Sequence, residues 1–453
     1  MNLDKFFNAQ SVAVIGAARE DGKIGNVIFK NFLRPEFRGR VFPVNPNVDE
    51  ILGKKSYPSI KDIPEKVELA VIAVPAAIVP KVIDDCGKKG VKHVIIISAG
   101  FKEIGNTKLD IELEKAMKKY GIKAIGPNCL GIYDSESRID TLFLPQDRLR
   151  RPKRGGISFV SQSGASGSAI LDLAAKDGFG FAKFISYGNA MNVDESDLIE
   201  YLGNDPKTRV ICLYVEGIRD GKKFLDICKK VSEVKPIIAI KGGITEAGKK
   251  AALSHTGALA GSAEIYFGAF KQAGIIRAET LEEMFDIVNI FEKAMTKPKG
   301  KRIQVITNGG GFGILCADAI STLGLGMAKL SAAAKKELKK TFPPIAVIDN
   351  PMDLLGDATT ERYRLAIDAC MKDKGIDLLL IIVLTQTPLI EKEKIVSILS
   401  DYNNQHKKPI VVIITGSEYS EKVKQEIEEK GIPCFRFPFC AVKAIKKLID
   451  FYC

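Results

Sequence analysis

Short runs of Val, Ile, Leu and Ala recur along the chain, and the stretches between them space their apolar residues as helices do. In the first third, Val12-Ala13-Val14-Ile15 leads through Gly16 into a helical pattern that continues to Leu33. Val41-Phe42-Pro43-Val44, Leu69-Ala70-Val71-Ile72-Ala73-Val74 and Val94-Ile95-Ile96-Ile97 follow. Runs that are apolar at every position, not at alternate ones, suit strands covered on both faces. Their alternation with helices predicts parallel sheets. A second series (Ile157 to Val160, Ala182 to Ile185, Val210 to Tyr214, Pro236 to Ile240) and a third (Ile303 to Ile306, Leu378 to Val383, Ile410 to Ile414) repeat the pattern. Asp134 to Gly156 reads as an irregular linker, solvated along its basic end Arg148 to Gly156, and Lys297-Pro298-Lys299-Gly300-Lys301 is a second break. The expected fold is α/β, with three Rossmann-like or flavodoxin-like domains in series at 1–133, 155–296 and 301–453, built mostly on parallel sheets.

A length of 453 residues suits about three domains. At 46% apolar residues each of them can bury a core. No apolar run approaches the roughly 18 residues of a membrane span, and Met1-Asn2-Leu3-Asp4-Lys5 does not open a secretory signal, so a cytoplasmic protein is expected. Nine cysteines without a C-x-x-C pair fit a reducing compartment, with most thiols buried as small apolar groups. They give no structural zinc or iron–sulfur site, and no metal site is expected. The net charge of +12 reads as a lysine-rich solvated surface or as attraction for polyanionic small molecules or an acidic partner. The basic residues are dispersed and no aromatic-rich motif accompanies them, which argues against nucleic acid.

Candidate chemistry gathers in turns. Two strands run into small polar turns that open helices: Ser161-Gln162-Ser163-Gly164-Ala165-Ser166-Gly167 and Thr307-Asn308-Gly309-Gly310-Gly311-Phe312-Gly313. A helix N-terminus offers free N–H groups and the positive end of its dipole, and glycine lets an anion approach the backbone. Ser163 and Gly164, and Asn308 with Gly309, Gly310 and Gly311, are therefore candidate phosphate-binding residues. Between the two turns in sequence lies Ser254-His255-Thr256-Gly257-Ala258-Leu259-Ala260-Gly261, which holds one of only three histidines. An imidazole in a small-residue loop can act as a nucleophile and carry a group between sites. His93 and His406 read as structural.

The first segment has its own glycine turn, with Gly16, Arg19, Lys23 and Gly25, but its spacing is not G-x-G-x-x-G. Arg19 and Lys23 either meet phosphates of a nucleotide-bearing ligand or are solvated. Val74-Pro75, Ser98-Ala99-Gly100-Phe101 and Gly126-Pro127-Asn128-Cys129 mark further sheet ends, where ligands of such folds bind.

Taken in order, these motifs resemble the NDP-forming acyl-CoA synthetase superfamily, which includes succinyl-CoA synthetase. S-V-A-V-I-G-A-A-R with G-K-I-G, then V-F-P-V-N-P, A-V-I-A-V-P, I-I-S-A-G-F and G-P-N-C-L-G, are similar to the family's CoA-binding domain. F-V-S-Q-S-G-A, Y-V-E-G and S-H-T-G-A-L-A-G resemble its second domain, and T-N-G-G-G-F-G with N-P-M-D-L-L-G-D-A its third. The resemblance is to α subunits of ADP-forming acetyl-CoA or acyl-CoA synthetases.

It implies that His255 is phosphorylated, that Glu216 orients its imidazole, and that the two turns hold phosphate. It also implies that Gly16, Lys23, Val74, Ser98 and Asn128 contribute to a CoA crevice, with Arg19 beside them. The implied reaction converts acyl-CoA, ADP and phosphate reversibly to acid, ATP and CoA. Ala18 departs from the Ser of many relatives. The family's nucleotide-binding ATP-grasp domain has no counterpart here. That implies a separate β subunit, which would carry ADP or ATP with Mg2+, in an α2β2 assembly. A CoA-binding regulatory or scaffold protein without turnover is the alternative, and the presence of both His255 and Glu216 argues against it. A dehydrogenase is disfavoured by the broken glycine spacing.

Overall fold

In the computed structural model the described residues are 2–250, 262–294 and 296–453. His255 lies outside them. The chain forms two compact units, Met1–Arg277 and Ala278–Cys453.

Among the described residues the first unit holds a two-stranded antiparallel ribbon, Glu50–Ile51 with Lys54–Lys55, and two large sheets. In one, five parallel strands lie in the order Arg40–Val44, Ser11–Ile15, Leu69–Ile72, His93–Ile96 and Lys123–Ile125. By chain order this is 2-1-3-4-5, the flavodoxin-like arrangement. The second sheet repeats that order with Ile276–Arg277, Ile237–Lys241, Val210–Val215, Lys153–Ser161 and Gly180–Ser186. It adds Gly131–Asp134 as an antiparallel edge strand. One buried core runs from Val12, Val71 and Ile95 of the first sheet to Val160, Ile185 and Ile211 of the second. Each fully buried side chain of this kind contributes about 1.5–3 kcal/mol.

The second unit carries a third sheet in the same order: Gly326–Met327, Arg302–Thr307, Leu378–Ile382, Ile410–Ile413 and Cys434–Phe435, all parallel, with Met352–Asp353 also paired to Arg302–Thr307. All five residues of Leu378–Ile382 are buried, as a run apolar at every position requires. The helix Leu281–Lys293 belongs to this unit. Its Phe291 meets Phe451 edge-on at 5.4 Å, and Asn289 donates to the Cys434 carbonyl at 2.8 Å.

The basic linker is not wholly solvated. Lys153 to Gly156 open the strand Lys153–Ser161. The Arg151 side chain is buried: it ion-pairs with Asp140 at 2.8 Å and donates to the Leu149 and Leu144 carbonyls. A charge run sheds water where a buried carboxylate and free carbonyls satisfy it.

Seven of the nine cysteines are buried, and burial pushes the Cys129 thiol up to about 12. Among the described residues no helix is long and apolar enough to cross a membrane, and no His, Cys, Asp and Glu group could hold a metal.

Candidate functional site

In a parallel sheet of order 2-1-3-4-5, the chain leaves strands 1 and 3 in opposite directions, which opens a crevice at their carboxyl ends. In the first sheet those ends are Gly16 and Ala73-Val74. Gly16 has φ +90°, and a Cβ there would lie 2.2 Å from the Ala73 carbonyl oxygen, so only glycine permits the approach. Buried Asn26 holds the following turn by donating to the Ala18 and Arg19 carbonyls at 2.9 and 3.1 Å.

A cavity of about 730 Å³ lies where the carboxyl edges of both sheets in the first unit meet. Val74, Ser98 and Asn128 line it from the first sheet, and Gln162, Ser163 and Gly164 from the second. Ser98 Oγ donates to the Val74 carbonyl at 2.5 Å, and its own carbonyl accepts the Asn128 N–H at 2.9 Å. Asn128 stands at φ +57° and donates to Asn189 Oδ1 at 3.3 Å. Asn189 in turn donates to Glu103 at 2.6 Å. Burial opposes ionisation of Glu103, but the Gly100 N–H and the Asn189 amide outweigh it and hold its carboxyl below the usual range. These bonds fix the strand ends relative to one another.

Ser163 caps the helix Gly164–Lys176 and accepts the Ser166 N–H at 3.3 Å. The N–H groups of Gly164 and Ala165 have no acceptor within the helix, and both residues line the cavity. An anion of the cavity would therefore find the positive end of a 13-residue helix.

Glu216 follows strand 3 of the second sheet, Val210–Val215, directly beside that turn. The Gln162 side chain ties the two together: its Oε1 accepts the N–H groups of Glu216 at 2.7 Å and Gly217 at 3.0 Å. The Glu216 carboxyl is buried, and its Oε2 has no hydrogen-bond partner among the described residues. Burial, reinforced by the Glu216 carboxylate, raises the Tyr214 phenol, and the Ser166 hydroxyl opposes the shift. Tyr214 thus reaches both the turn and the acid. A Cβ at Gly242 would lie 2.9 Å from the Tyr214 hydroxyl, so the chain passes close to this acid as it enters the segment that carries His255. Lys241 is buried. It donates to the Glu216 carbonyl at 2.8 Å and to the Gly242 carbonyl, with the Tyr266 ring centroid 4.6 Å away.

The structure thus brings Val74, Ser98, Asn128, Ser163 and Gly164 to one cavity, with Glu216 tied to its edge through Gln162. Gly16, Arg19 and Lys23 do not line it, although Ile24 does. Arg19 donates to the Glu50 carbonyl at 2.8 Å, and Lys23 pairs with Glu20 in solvent. In the second unit, Gly309 caps the helix Gly310–Thr322 without a side-chain hydrogen bond. Asn308 exchanges two bonds with Leu384, donating at 3.0 Å and accepting at 2.9 Å, where Gln162 accepts two N–H groups from the chain after its own strand 3. This turn differs from the first: a Cβ at Gly310 would lie 2.7 Å from an Asp353 carboxylate oxygen. Sequence reasoning missed Gln162, Asn189, Tyr214 and Lys241. The matching amides of S-Q-S-G and T-N-G-G, each immediately after a strand, were the available signal for Gln162.

Three family models cover most of the chain: a CoA binding domain over 10–135, a succinyl-CoA ligase-like flavodoxin domain over 154–291 and a ligase-CoA domain over 303–449. The α subunit of acetate–CoA ligase (ADP-forming) II from Pyrococcus furiosus is 40% identical over 99% of this chain and 97% of its own length. The chain belongs to the ADP-forming acyl-CoA synthetase family. Acetate–CoA ligase (ADP-forming) of Methanocaldococcus jannaschii is 42% identical over 98% of this chain, which spans 62% of that longer relative. The dinucleotide-forming acetyl-coenzyme A synthetase 1 of Ca. Korarchaeum cryptofilum, solved with phosphate and ADP, superposes with a TM-score of 0.92 at 37% identity. That match covers 99% of this chain and 97% of the solved one.

Gly164 provides a direct test of the helix end. A Cβ there would meet Leu130 at 3.5 Å, an ordinary contact, so Gly164→Ala should fold and melt no lower than wild type. The added methyl would hold an anion away from the first N–H groups. The phosphate concentration giving half-maximal rate is expected to rise roughly tenfold or more. Melting temperature and phosphate dependence measured on one preparation check this.

Proposed function

We propose that this chain is the CoA- and phosphate-handling subunit of an ADP-forming acyl-CoA synthetase. The observation that carries the reading is the single cavity at which Val74, Ser98 and Asn128 meet the Ser163–Gly164 helix end. CoA lies along the strand ends, and phosphate sits at the helix N-terminus. A phosphate oxygen attacks the thioester carbonyl, the C–S bond breaks, and CoA leaves as the thiolate. The product is an acyl phosphate. A nitrogen of His255 then attacks phosphorus, and the P–O bond to the acyl group breaks, releasing the carboxylate. Phosphohistidine passes its phosphoryl group to ADP.

The helix end stabilises charge on the moving phosphoryl group, because its N–H groups are already oriented. Glu216 holds the imidazole in the tautomer that leaves one nitrogen free to attack, and its unpartnered Oε2 suits that role. The glycine turn Gly309 to Gly311 supplies a second phosphate-binding helix end. Gly16, Arg19 and Lys23 act at the margin of the CoA crevice. Carrying the phosphoryl group on a loop removes the need for CoA and ADP to share a pocket. The ADP site, with its Mg2+, lies on a separate ATP-grasp β subunit in an α2β2 cytoplasmic enzyme.

Incubating the purified chain with acetyl-CoA and labelled phosphate tests this. Acid-labile, base-stable label on the chain is expected, with ATP formed from ADP only after an ATP-grasp subunit is added. Sustained ATP synthesis by the chain alone would overturn the division of labour.

A further inference from the structure

The segment after the strand Gly131–Asp134 takes no part in the reaction above, yet its backbone is anchored on both sides of Phe143. Thr141 donates its N–H to the Ile132 carbonyl at 2.9 Å and accepts the Ile132 N–H on Oγ1 at 2.8 Å. Buried Asn31 donates to the Leu142 carbonyl at 2.9 Å. Arg151 donates to the Leu144 carbonyl at 3.0 Å while paired with Asp140, the two side chains being 6% and 4% exposed. The buried ion pair of the supposed linker therefore helps fix the position of this short ledge. Phe143 and Leu144 project from it into the lining of the same cavity as Ser163 and Gly164, and Phe143 packs on the core behind.

A thioester held between the CoA strand ends and the phosphate helix end must place its acyl group in this cavity. None of the described residues lining the cavity is charged. With phosphate on the helix end, a carboxylate carried by the acyl group would find no cation there and would lose water without compensation. A wall held in place can reject by shape, whereas a mobile one repacks around whatever enters.

We propose that Phe143, with Leu144, walls the acyl-group site and sets the upper size limit on an uncharged acyl group. This rests on the reading of the cavity as the acyl-CoA and phosphate site.

The full chain, with and without an ATP-grasp subunit, is titrated calorimetrically with CoA. It is then labelled in single turnovers from acetyl-, isobutyryl-, phenylacetyl- and succinyl-CoA with labelled phosphate, as wild type, Phe143→Ala and Phe143→Trp. CoA affinity is expected to stay level in all three. The rate ratio of phenylacetyl- to acetyl-CoA should rise by about tenfold or more in Phe143→Ala and fall in Phe143→Trp, and succinyl-CoA should label least. Equal ratios in all three chains, with CoA binding and melting temperature retained, would overturn the size-limiting role. Succinyl-CoA labelling as fast as acetyl-CoA would overturn the uncharged-acyl assignment. Failure of wild type to bind CoA would reject the cavity reading itself, a result distinct from a flat acyl profile. If Phe143→Ala does not fold, Leu144→Ala and Phe143→Leu carry the same comparison.

Discussion

A His255→Ala chain is expected to accept no phosphate from acyl-CoA and phosphate and to support no turnover, while binding CoA as wild type does. The other two histidines lie elsewhere in the fold. His93 opens a strand, with Nε2 3.3 Å from the Asn2 carbonyl oxygen and the Phe6 ring edge-on at 5.1 Å. Burial holds its imidazole below the ordinary range. His406 sits at φ +51° just after the helix Lys392–Asn403, in the second unit. Neither lies among the residues lining the cavity beside Ser163. Removing His255 deletes the only proposed acceptor, so the loss should be complete and not graded. It leaves Val74, Ser98 and Asn128 untouched, which is why CoA affinity separates chemistry from folding. Acid-labile labelling and CoA titration on the same variant check it. Substantial residual phosphohistidine would move the acceptor elsewhere.

The three-sheet α/β plan was legible because its long strands are apolar at every position. Val12 to Ile15 and Leu378 to Ile382 are buried throughout, as such runs predict. The short strands escaped detection. Gly326–Met327, Met352–Asp353 and Cys434–Phe435 have two residues each, too few to show a period. Gly131–Asp134 lies within the first segment in sequence yet hydrogen-bonds into the second sheet, because pairing is decided by which edge is open. The candidate site was legible in part. Turns after strands announce themselves by composition, so Ser163, Gly164, Ser98 and Asn128 could be named. Arg19 and Lys23 carry charge suited to phosphates, but charge alone does not say which way a side chain turns. Arg151 shows the converse: a side chain in a basic run is buried because Asp140, 11 residues earlier in the chain, receives it.

The same construction appears in two of the three large sheets. After strand 1, an amide side chain, Gln162 or Asn308, bonds the backbone that follows strand 3. It closes the base of the switch-point crevice and leaves the next residues to open a helix. The outcome differs by charge. In the first unit the neighbouring turn is capped by Ser163 and faces an uncharged cavity. In the second, the Asp353 carboxylate stands against Gly310, and any anion there must share the turn with it. Among the described residues no carboxylate lines the cavity at the Ser163 turn, which favours that turn over the second in the proposed phosphate role.

Glu216→Gln is expected to fold normally and to lose phosphorylation by on the order of a hundredfold or more, comparable to deleting another preorganised electrostatic group. The structure sharpens the alternative, in which Glu216 is only one half of a buried ion pair. The Lys241 ammonium, which the Glu216 charge favours against burial, donates to the Glu216 backbone carbonyl, and Gln162 accepts the Glu216 backbone N–H. Both hydrogen bonds survive substitution of the side chain, and only the charge interaction with Lys241 is lost. The carboxyl itself is buried with Oε2 unpartnered among the described residues, a costly arrangement unless another group completes it. An imidazole N–H is such a group, and attack on phosphorus makes the ring cationic, so the carboxylate gains most as the bond forms. Glutamine keeps the shape and one acceptor but removes that charge. The variant should melt at or above the wild-type temperature, since a buried charge has gone, while single-turnover labelling collapses. A structural role would give the opposite pair of results, a lower melting temperature with the rate per folded molecule kept. An unchanged labelling rate in Glu216→Gln would remove this acid from the chemistry altogether.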